Sequence, residues 1–485
     1  MWDKEHSDCQ PLHQTSFPMR TTIYQRLIYA ATLVLLTILV QSCTQNWPHF
    51  RGPGNNMIVT TRNLPVKWSD SENVRWSTPI EGDSWASPVV WGNKLFYVSS
   101  IPVRVAPPPE PQAPPPLPAS AGNAGNGQNP PPPPPPAQEE DKGYLEEIYR
   151  WEVTCLDLET GEQLWQQVAR EGSPRTKKNP ATNYASETPV TDGQRLYVYF
   201  GMIGLYCYDL EGTLLWETDL GAYQTLNGWG TGSSPALYKD KLFIQVDNED
   251  NSFLVALDAS TGKELWKKER EEKTNYSSPV IWKNSVRTEL VTTGKKARSY
   301  DPETGDLLWE LFIGGFYTIP SAVPDQDLLY LGNAGFRNTP GTLFCVRAGA
   351  EGNITPAEGE STSSGVVWSN PEAPTENPNP LVYDGLLYVV SSRGGNVTCF
   401  DATSGEEVYK EKVDNVGACW ASPWVYQDRV FFTDEKGVTS VLKAGRSFEL
   451  LYQNRIDDKF WASVAAARNA WIMKGTENIY CIGYN

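Results

Sequence analysis

The stretch CLDLETGEQLW, residues 155–165, combines a turn with an aromatic residue and recurs along the chain. Asp157 and Thr160 can hydrogen-bond turn amides through their side chains, and Gly161 supplies the positive φ that a tight turn requires. Trp165 follows in the next extended segment. Related copies occupy residues 207–216, 256–266, 299–309 and 399–409. This recurrence predicts a fold built from one repeated structural unit.

Each copy follows a β-rich run such as KLFYVSS or RLYVYFG. Before that run comes a short predicted strand that opens with a small residue and usually a proline. The anchors of this strand are Pro88, Pro189, Pro235, Pro279, Pro320, Pro380, Pro423 and Val464. Their typical spacing of roughly 43 residues is that of a four-stranded propeller blade. The sequence therefore predicts eight blades in an all-β fold.

One aromatic residue is expected in the outer strand of every blade. These residues are Trp76, Trp165, Trp216, Trp266, Trp309, Trp368, Tyr409 and Tyr452. The last unit ends after its third strand, IYCIGYN, whereas Trp76 lies in an N-terminal strand with no unit of its own. We therefore expect the ring to close by pairing this strand with the C-terminal blade, which leaves no unpaired blade.

The repeats resemble those of the pyrroloquinoline-quinone-like (PQQ-like) family of eight-bladed propellers. Its signature is Asp-x-x-Thr-Gly-x-x-x-Trp, and the resemblance covers Val74–Asn485. It implies that the listed aromatic residues dock between neighbouring blades. The segment NWPHFRGPGNN, Asn46–Asn56, also resembles the Trp-x-x-Phe-Arg-Gly-Pro opening of exported bacterial members.

The N-terminus predicts export. Residues 27–40 form an uncharged apolar run that is too short for a typical spanning helix and suits a signal peptide. It ends in VQSC, which resembles a lipobox with Cys43 as the lipidated residue. An uncleaved membrane anchor is the alternative. The predicted domains are a signal peptide at 1–43 (with Met19 as an alternative start), a leader at 44–73 and a propeller at 74–485.

Composition limits the function. The formal net charge of -17 disfavours a nucleic-acid partner. Of three histidines, only His49 follows the predicted cleavage site, which leaves little room for His-based catalysis or a His-rich metal site. Cys155, Cys207, Cys345, Cys399 and Cys481 share one position in the repeat. Equivalent positions in different blades lie too far apart to bridge, so we expect core thiols.

Residues 101–143 contain APPPEPQAPPPLP and a polyproline run. This composition cannot pack a core and predicts a disordered insertion between the second and third strands of the first blade. It is interpreted as a spacer, as a docking site for a proline-binding partner, or as a tolerated loop insertion. The propeller is expected to be monomeric.

Three functions are compatible with the resemblance. The first is a non-catalytic interaction scaffold in the cell envelope, tethered by an N-terminal lipid, with an envelope or outer-membrane protein as partner. The propeller lipoprotein of the outer-membrane β-barrel assembly machine belongs to this branch. The second is a propeller that binds a small ligand or glycan. The third is a PQQ-dependent oxidoreductase, but the chain lacks the adjacent cysteine pair of those enzymes. We therefore expect no cofactor, metal site or catalytic residue.

The phrase Trp-Ala-Ser occurs three times, and its tryptophans occupy one position of the repeat. Aromatic residues at or near this position are predicted to rim the central channel on the face that carries the proline-rich insertion. They are Trp85, Tyr184, Trp229, Tyr276, Tyr317, Trp420 and Trp461. Two interpretations remain open: an aromatic funnel for a ligand or partner, or rings that only cap the core.

Overall fold

A computed structural model describes residues 46–105, 143–315, 317–336 and 339–484. The predicted signal peptide, Cys43 and most of the proline-rich insertion lie outside these residues. In the described ranges, helix is confined to three 3-10 turns at Gly143–Glu146, Gly201–Ile203 and Leu226–Gly228. Within the same ranges, no helix is long and apolar enough to cross a membrane.

The first four blades are consecutive sheets, each with four antiparallel strands, and one further short strand pairs in parallel with the outer strand of blade four. Blade one contains β2 (Val89–Trp91), β3 (Lys94–Arg104), β4 (Ile148–Asp157) and β5 (Gln163–Gly172). Blade two contains β6 (Val190–Thr191), β7 (Arg195–Tyr199), β8 (Leu205–Asp209) and β9 (Leu214–Thr218). Blade three contains β10 (Ala236–Tyr238), β11 (Lys241–Val246), β12 (Phe253–Asp258) and β13 (Glu264–Glu269). Blade four contains β14 (Val280–Lys283), β15 (Thr288–Thr292), β16 (Lys296–Tyr300) and β17 (Leu307–Phe312).

The other four blades complete the eight-bladed propeller. Blade five contains β18 (Val323–Asp325), β19 (Leu328–Gly332), β22 (Leu343–Arg347) and β24 (Val366–Asn370). Blade six contains β25 (Leu381–Tyr383), β26 (Leu386–Val390), β27 (Asn396–Asp401) and β28 (Glu407–Lys412). Blade seven contains β29 (Trp424–Tyr426), β30 (Arg429–Thr433), β31 (Val438–Lys443) and β32 (Leu450–Arg455). Blade eight contains β33 (Ala465–Ala467), β34 (Ala470–Lys474), β35 (Asn478–Ile482) and β1 (Val74–Pro79).

Three further short strands belong to blade five's long connections. They are β20 (Gly335–Phe336), β21 (Thr339–Pro340) and β23 (Gly352–Asn353). In the regular blades the middle strands are buried almost throughout, as in β11, whereas the outer strand β13 alternates between exposed and half-buried residues. This difference arises because both faces of a middle strand pack against neighbouring blades, while the outer strand lies at the rim.

The ring closes as predicted. β1 pairs antiparallel with β35, and Trp76 lies opposite Cys481. The N-terminal strand thus supplies the outer strand of the last blade, so that the two ends of the propeller segment are hydrogen-bonded to each other. Without this pairing, the outer edge of β35 would have no neighbouring strand.

The repeated turn explains how neighbouring blades dock. The Trp216 ring of blade two lies against Gly262 in the turn of blade three, where a Cβ atom would come within 2.6 Å of the ring. Its Nε1 donates a hydrogen bond to the Ala259 carbonyl in the same turn, at 3.2 Å. Trp76, Trp165, Trp266 and Trp368 face the glycines of the next blades in the same way. The turn position therefore requires glycine for two reasons: its φ is positive, and a side chain would collide with the indole ring.

Three of the predicted docking residues behave differently, because the blades after them lack the Asp-x-x-Thr-Gly turn. Trp309 donates from Nε1 to Glu289 Oε2 within its own blade, at 2.8 Å. Tyr409 packs edge-on against Phe448, with ring centroids 5.8 Å apart. Tyr452 lies under Lys67 of the leader, with Nζ 5.1 Å from the ring centroid. At these three positions the aromatic therefore has no turn glycine to pack against, although Trp309 still shares a core cluster with residues of blade five, and Tyr409 still packs on blade seven.

Two predicted boundaries also change. β3 continues to Arg104, and Ile101 and Pro102 pair with β4, so the first residues of the predicted insertion are strand. In blade five the residue equivalent to the other anchors is Ala322 rather than Pro320, because Ser321 occupies the position that Ser278 holds in blade four. Because the connections of blade five differ in length from those of the other blades, the sequence did not show which residue is equivalent to their anchors.

The six described cysteines are free and buried. Five lie in third strands, and all five are register partners of a docking aromatic, as Cys155 is of Trp165. A small side chain is needed there because the aromatic ring of the adjacent outer strand crosses over it. Burial raises the pKa of each of these thiols to about 12.

Replacing Gly262 by Ala will destabilise the propeller more than replacing Gly385. Both glycines have nearly the same φ, +69° and +70°, but only Gly262 faces an indole, and Gly385 faces open space. Gly385→Ala should cost only the left-handed backbone penalty of about 1–2 kcal/mol. Gly262→Ala should add about 1–3 kcal/mol of steric strain. Denaturant midpoints of the two variants measure the difference, and equal midpoints would contradict the docking role.

The buried thiols should resist alkylation in the native state. At pH 8 a thiol with a pKa near 12 contains almost no thiolate, and burial excludes the reagent. Peptide mapping after iodoacetamide treatment should show modification of Cys155 and its five counterparts only in denaturant. Rapid labelling of native protein at these positions, or a disulfide between any two of them, would disprove this assignment.

Candidate functional site

Eight polar side chains form a closed hydrogen-bonded ring around the central axis, one at the entry of each inner strand. They are Ser87, Thr188, Ser234, Ser278, Ser321, Asn379, Ser422 and Ser463. At seven of the eight junctions, the backbone N–H of one ring residue donates to the side chain of the next, at 2.6–3.1 Å. At the eighth, the Asn379 amide group donates to Ser422 Oγ at 2.9 Å. Every blade is thus tied to both neighbours at the axis.

A cavity of about 640 Å³ lies within and above this ring. Its wall contains the residue two positions before each ring residue: Trp85, Ser186, Gly232, Tyr276, Ile319, Asn377, Trp420 and Trp461. We call this cavity the funnel. Along each blade the chain reverses direction at every turn, so the funnel opens on the face of the connections between blades. The Asp-x-x-Thr-Gly turns lie on the opposite face.

Three tryptophans from adjacent blades form a continuous stack on one side of the funnel. Trp461 of blade eight is central, and its ring lies 4.5 Å from that of Trp85 and 4.7 Å from that of Trp420, measured between centroids. The interplanar angles are only 4° and 1°. Trp420 Nε1 also donates to Glu435 Oε2 at 3.2 Å. The result is a rigid, half-exposed aromatic wall.

Six of the seven predicted funnel aromatics line this one cavity. Trp229 and Tyr317 are the most exposed, at 39% and 40%, and both precede the equivalent position in their own blades. Tyr184 does not line the cavity, and its placement there was wrong. Tyr184 lies four residues before the ring residue Thr188, as Tyr317 does before Ser321, but it belongs to the hydrophobic core between blades one and two. It is buried against Tyr149, with ring centroids 5.0 Å apart.

The leader closes the other end of the channel. Trp47 forms an antiparallel bridge with Val90 of the blade-one inner strand. The chain then crosses the lumen, and Phe50 forms part of the funnel's boundary. On the far side, Ile58 forms a parallel bridge with Val425 of blade seven. The funnel is therefore a pocket open at one face, rather than a pore.

The rest of the leader follows blades seven and eight outward. The Pro65 carbonyl accepts a hydrogen bond from Trp471 Nε1 at 2.8 Å. In the outer strand of blade seven, the Asn454 side chain accepts a hydrogen bond from the Trp68 N–H and donates one to the Val66 carbonyl. These contacts bring the chain to β1, so the leader belongs to the propeller core rather than forming a separate segment before it.

Two buried ionisable groups lie directly behind the funnel wall. Burial raises the pKa of Glu187, which accepts a hydrogen bond from Thr231, to about 7. Burial lowers the pKa of Lys474 to about 7, and its Nζ donates to the Ser84 carbonyl at 2.6 Å. Both groups change charge near neutral pH, but neither lines the cavity.

The residues that line the funnel do not fit the quinone site implied by the PQQ-like resemblance. That site requires carboxylate and amide ligands for a metal ion and a pair of adjacent cysteines. The described lining includes Asn377 and Asn379 but no Asp, Glu or Cys, and its charged member is Arg393. Nowhere in the described part of the chain do three or more His, Cys, Asp or Glu side chains form a metal-binding group. We derive no reaction through a quinone.

Several site residues could not be recognised from their sequence context. Phe50 reaches the funnel from the leader, and Arg393 from the loop between the middle strands of blade six. The ring residues had a usable signal, because six of the eight directly precede a proline anchor.

Comparisons with known proteins agree with this architecture. A family model described as outer membrane protein assembly factor BamB matches residues 150–344 and 357–447, more than half of the chain. No curated protein matches the chain significantly. Among solved structures, a europium-containing methanol dehydrogenase aligns over 90% of this chain and 90% of its own, with 12% identity and a TM-score of 0.54.

Two further solved structures resemble the chain. The quinohemoprotein alcohol dehydrogenase of Comamonas testosteroni aligns over 91% of this chain and 81% of its own, with 11% identity and a TM-score of 0.53. BamB from Moraxella catarrhalis aligns over 69% and 81%, with 12% identity and a TM-score of 0.36, too low to support an argument. At these identities the two dehydrogenases show only the shared propeller fold. The family-model match, together with the eight-bladed architecture, shows that the chain belongs to the PQQ_2 family of outer membrane protein assembly factor BamB.

Proposed function

We propose that this protein is a non-catalytic interaction scaffold of the cell envelope and that it binds a segment of a partner protein in the funnel. The observation that carries the proposal is the stack of Trp85, Trp461 and Trp420 along one wall of a pocket that is open at one face. Tryptophan is enriched among the residues that dominate protein–protein binding energy. The rings are held in place before binding, which reduces the entropy that association costs.

Polar groups elsewhere in the lining support a peptide-like ligand. They are Asn377, which precedes blade six next to Trp420, and Thr231, together with the ring hydroxyls at the base of the pocket. An extended backbone needs such donors and acceptors when it leaves water. A volume of about 640 Å³ accommodates a few side chains rather than a whole domain. The assembly-factor description of the family supports a scaffold role.

The orientation of the leader supports an envelope tether. Asn46 contacts Gly92 in the hairpin of blade one, on the face opposite the funnel mouth. Cys43, the proposed lipidation site, lies outside the described residues. In this proposal a lipid on Cys43 holds the protein at a membrane with the chain leaving from the turn face. A partner then approaches the funnel from the other side.

A small glycan or planar ligand is the second candidate. The outer faces of Trp85 and Trp420 are not occupied by the central Trp461, and sugars and planar rings stack on such surfaces. Binding of a glycan with micromolar affinity to the purified protein, lost on replacing Trp85, would favour this function over a protein partner.

Trp461→Ala should weaken partner binding strongly. Removing the central ring separates the stack and should weaken binding by about 2 kcal/mol or more, or roughly thirtyfold. A photo-crosslinking residue at Asn227, which lines the funnel, should capture a defined envelope protein in intact cells. Capture should disappear in Trp461→Ala.

Two controls make this experiment specific. Phe312→Ala removes an aromatic that is 47% exposed outside the funnel and should leave capture unchanged. The crosslinker placed at Lys263, in the turn on the opposite face, should not capture the same protein. Equal capture from both faces, or capture insensitive to Trp461→Ala, would argue against the funnel as the docking site.

Quinone titration tests the remaining alternative. With a lining that lacks carboxylates and cysteines, the protein should show no saturable absorbance change with micromolar PQQ, with or without Ca²⁺. Saturable binding that requires Ca²⁺ and is lost on Asn379→Ala would instead support an oxidoreductase.

A further inference from the structure

The proline-rich insertion joins blade one on the face where the funnel opens, because the connection between second and third strands lies on the same face as the connections between blades. Ser100 of β3 forms an antiparallel bridge with Asp83, two residues before Trp85 of the tryptophan stack. Beyond Ser100, β3 continues to Arg104, which pairs with Ile148 at the start of β4. The strand pair that carries the insertion therefore starts beside the stacked tryptophans.

Residues 106–142, which lie outside the described chain, include an uninterrupted run of seven prolines, Pro130–Pro136. Fully extended, the chain from Pro136 to Gly143 spans about 24 Å. The strand pair continues past Ser100 by only about 13 Å, at the usual rise of a strand. The connection is therefore long enough for the proline run to reach back to the tryptophan stack.

The tryptophan stack has a length that suits a proline-rich ligand. Proline-rich sequences favour the polyproline II conformation, which has three residues per turn and a rise of about 3.1 Å per residue. The ring centroids lie 4.5 Å apart from Trp85 to Trp461 and 4.7 Å apart from Trp461 to Trp420. The stack is thus about as long as one polyproline II turn. Grooves lined by aromatic rings are recurring receptors of such segments.

Unused hydrogen-bond donors in the funnel lining also fit a ligand made of proline. Proline has no backbone N–H, and a polyproline II helix leaves its carbonyls without internal partners. Such a ligand brings acceptors and needs donors. In the described chain, no group accepts a hydrogen bond from the indole Nε1 of Trp85 or Trp461 or from the side-chain amide of Asn377, and all three residues are only partly buried. The hydroxyls of Ser87 and Ser463 each accept one hydrogen bond and donate none there.

We propose that the funnel binds a proline-rich segment and that the chain's own run, Pro130–Pro136, is such a ligand, packed along the tryptophan stack. The proposal rests on the proposed function, since it names the class of peptide that the funnel takes. A short flexible tether gives the run an effective concentration in the millimolar range, so it occupies the funnel even where the free segment binds weakly. A partner segment must then compete with it.

Peptide binding to the purified full chain tests the proposal. In the run-replacement variant, seven alternating glycine and serine residues stand in place of Pro130–Pro136, which keeps the length and removes the competing run. The synthetic peptide QNPPPPPPPAQ, residues 128–138, is titrated and followed by tryptophan fluorescence. It should bind this variant saturably and the wild-type protein at least about fivefold more weakly, because the tethered run competes.

Replacing residues 122–128 in the same way is the matched control, since this equally long stretch of the insertion contains no proline. It should leave the peptide affinity at the wild-type value. Added to the run-replacement variant, Trp461→Ala should weaken peptide binding by about tenfold or more, whereas Phe312→Ala, outside the funnel, should not change it. If Trp461→Ala does not fold, Asn377→Ala should weaken binding severalfold, because it removes one donor.

The proposal is overturned if the peptide does not bind the run-replacement variant saturably, or if it binds the wild-type protein as tightly. It also fails if binding is unchanged in the folded Trp461→Ala or Asn377→Ala variant. A concentration-dependent wild-type dimer that run replacement abolishes would instead assign the run to the funnel of a second copy. These measurements do not involve the capture of an envelope protein through Asn227, so the failure of one proposal is distinguishable from that of the other.

Discussion

The contact on which the propeller depends is an indole ring lying flat against a glycine Cα of the next blade. It requires three things at once: a positive φ, the absence of a side chain and a large planar residue at a fixed distance along the chain. Trp216 with Gly262 shows the full arrangement, including the hydrogen bond from the indole to the turn carbonyl. Where a blade lacks the glycine turn, another contact replaces it, as Phe448 of blade seven does for Tyr409 of blade six.

This dependence explains how much of the fold could be predicted. The turn and the aromatic that follows it form a short motif that recurs with a regular period, so the number of blades, their spacing and the closure through Trp76 were predictable. The path of the leader was not, because its contacts are far apart in sequence and follow no period. The Arg51 side chain donates a hydrogen bond to the carbonyl of Ala322, 271 residues away. The Pro65 carbonyl accepts one from Trp471, 406 residues away.

The candidate site was predictable to a lesser extent for a related reason. Recurrence of Trp-Ala-Ser correctly grouped Trp85, Trp420 and Trp461, because these blades keep the same spacing between aromatic, ring residue and inner strand. Blade two departs from this spacing, and Tyr184 was misplaced. That the three tryptophans stack on one another could not be predicted, since side-chain orientation across blades depends on the closed ring and not on local sequence.

The hydrogen-bonded ring at the base of the funnel has a mechanical consequence. Each blade both gives and receives one bond, so no blade can move outward without stretching the bonds to two neighbours. The channel therefore has a fixed width. In the proposed scaffold function, a partner segment must already be narrow or must become narrow on binding, and a segment that is unstructured before it binds meets this requirement.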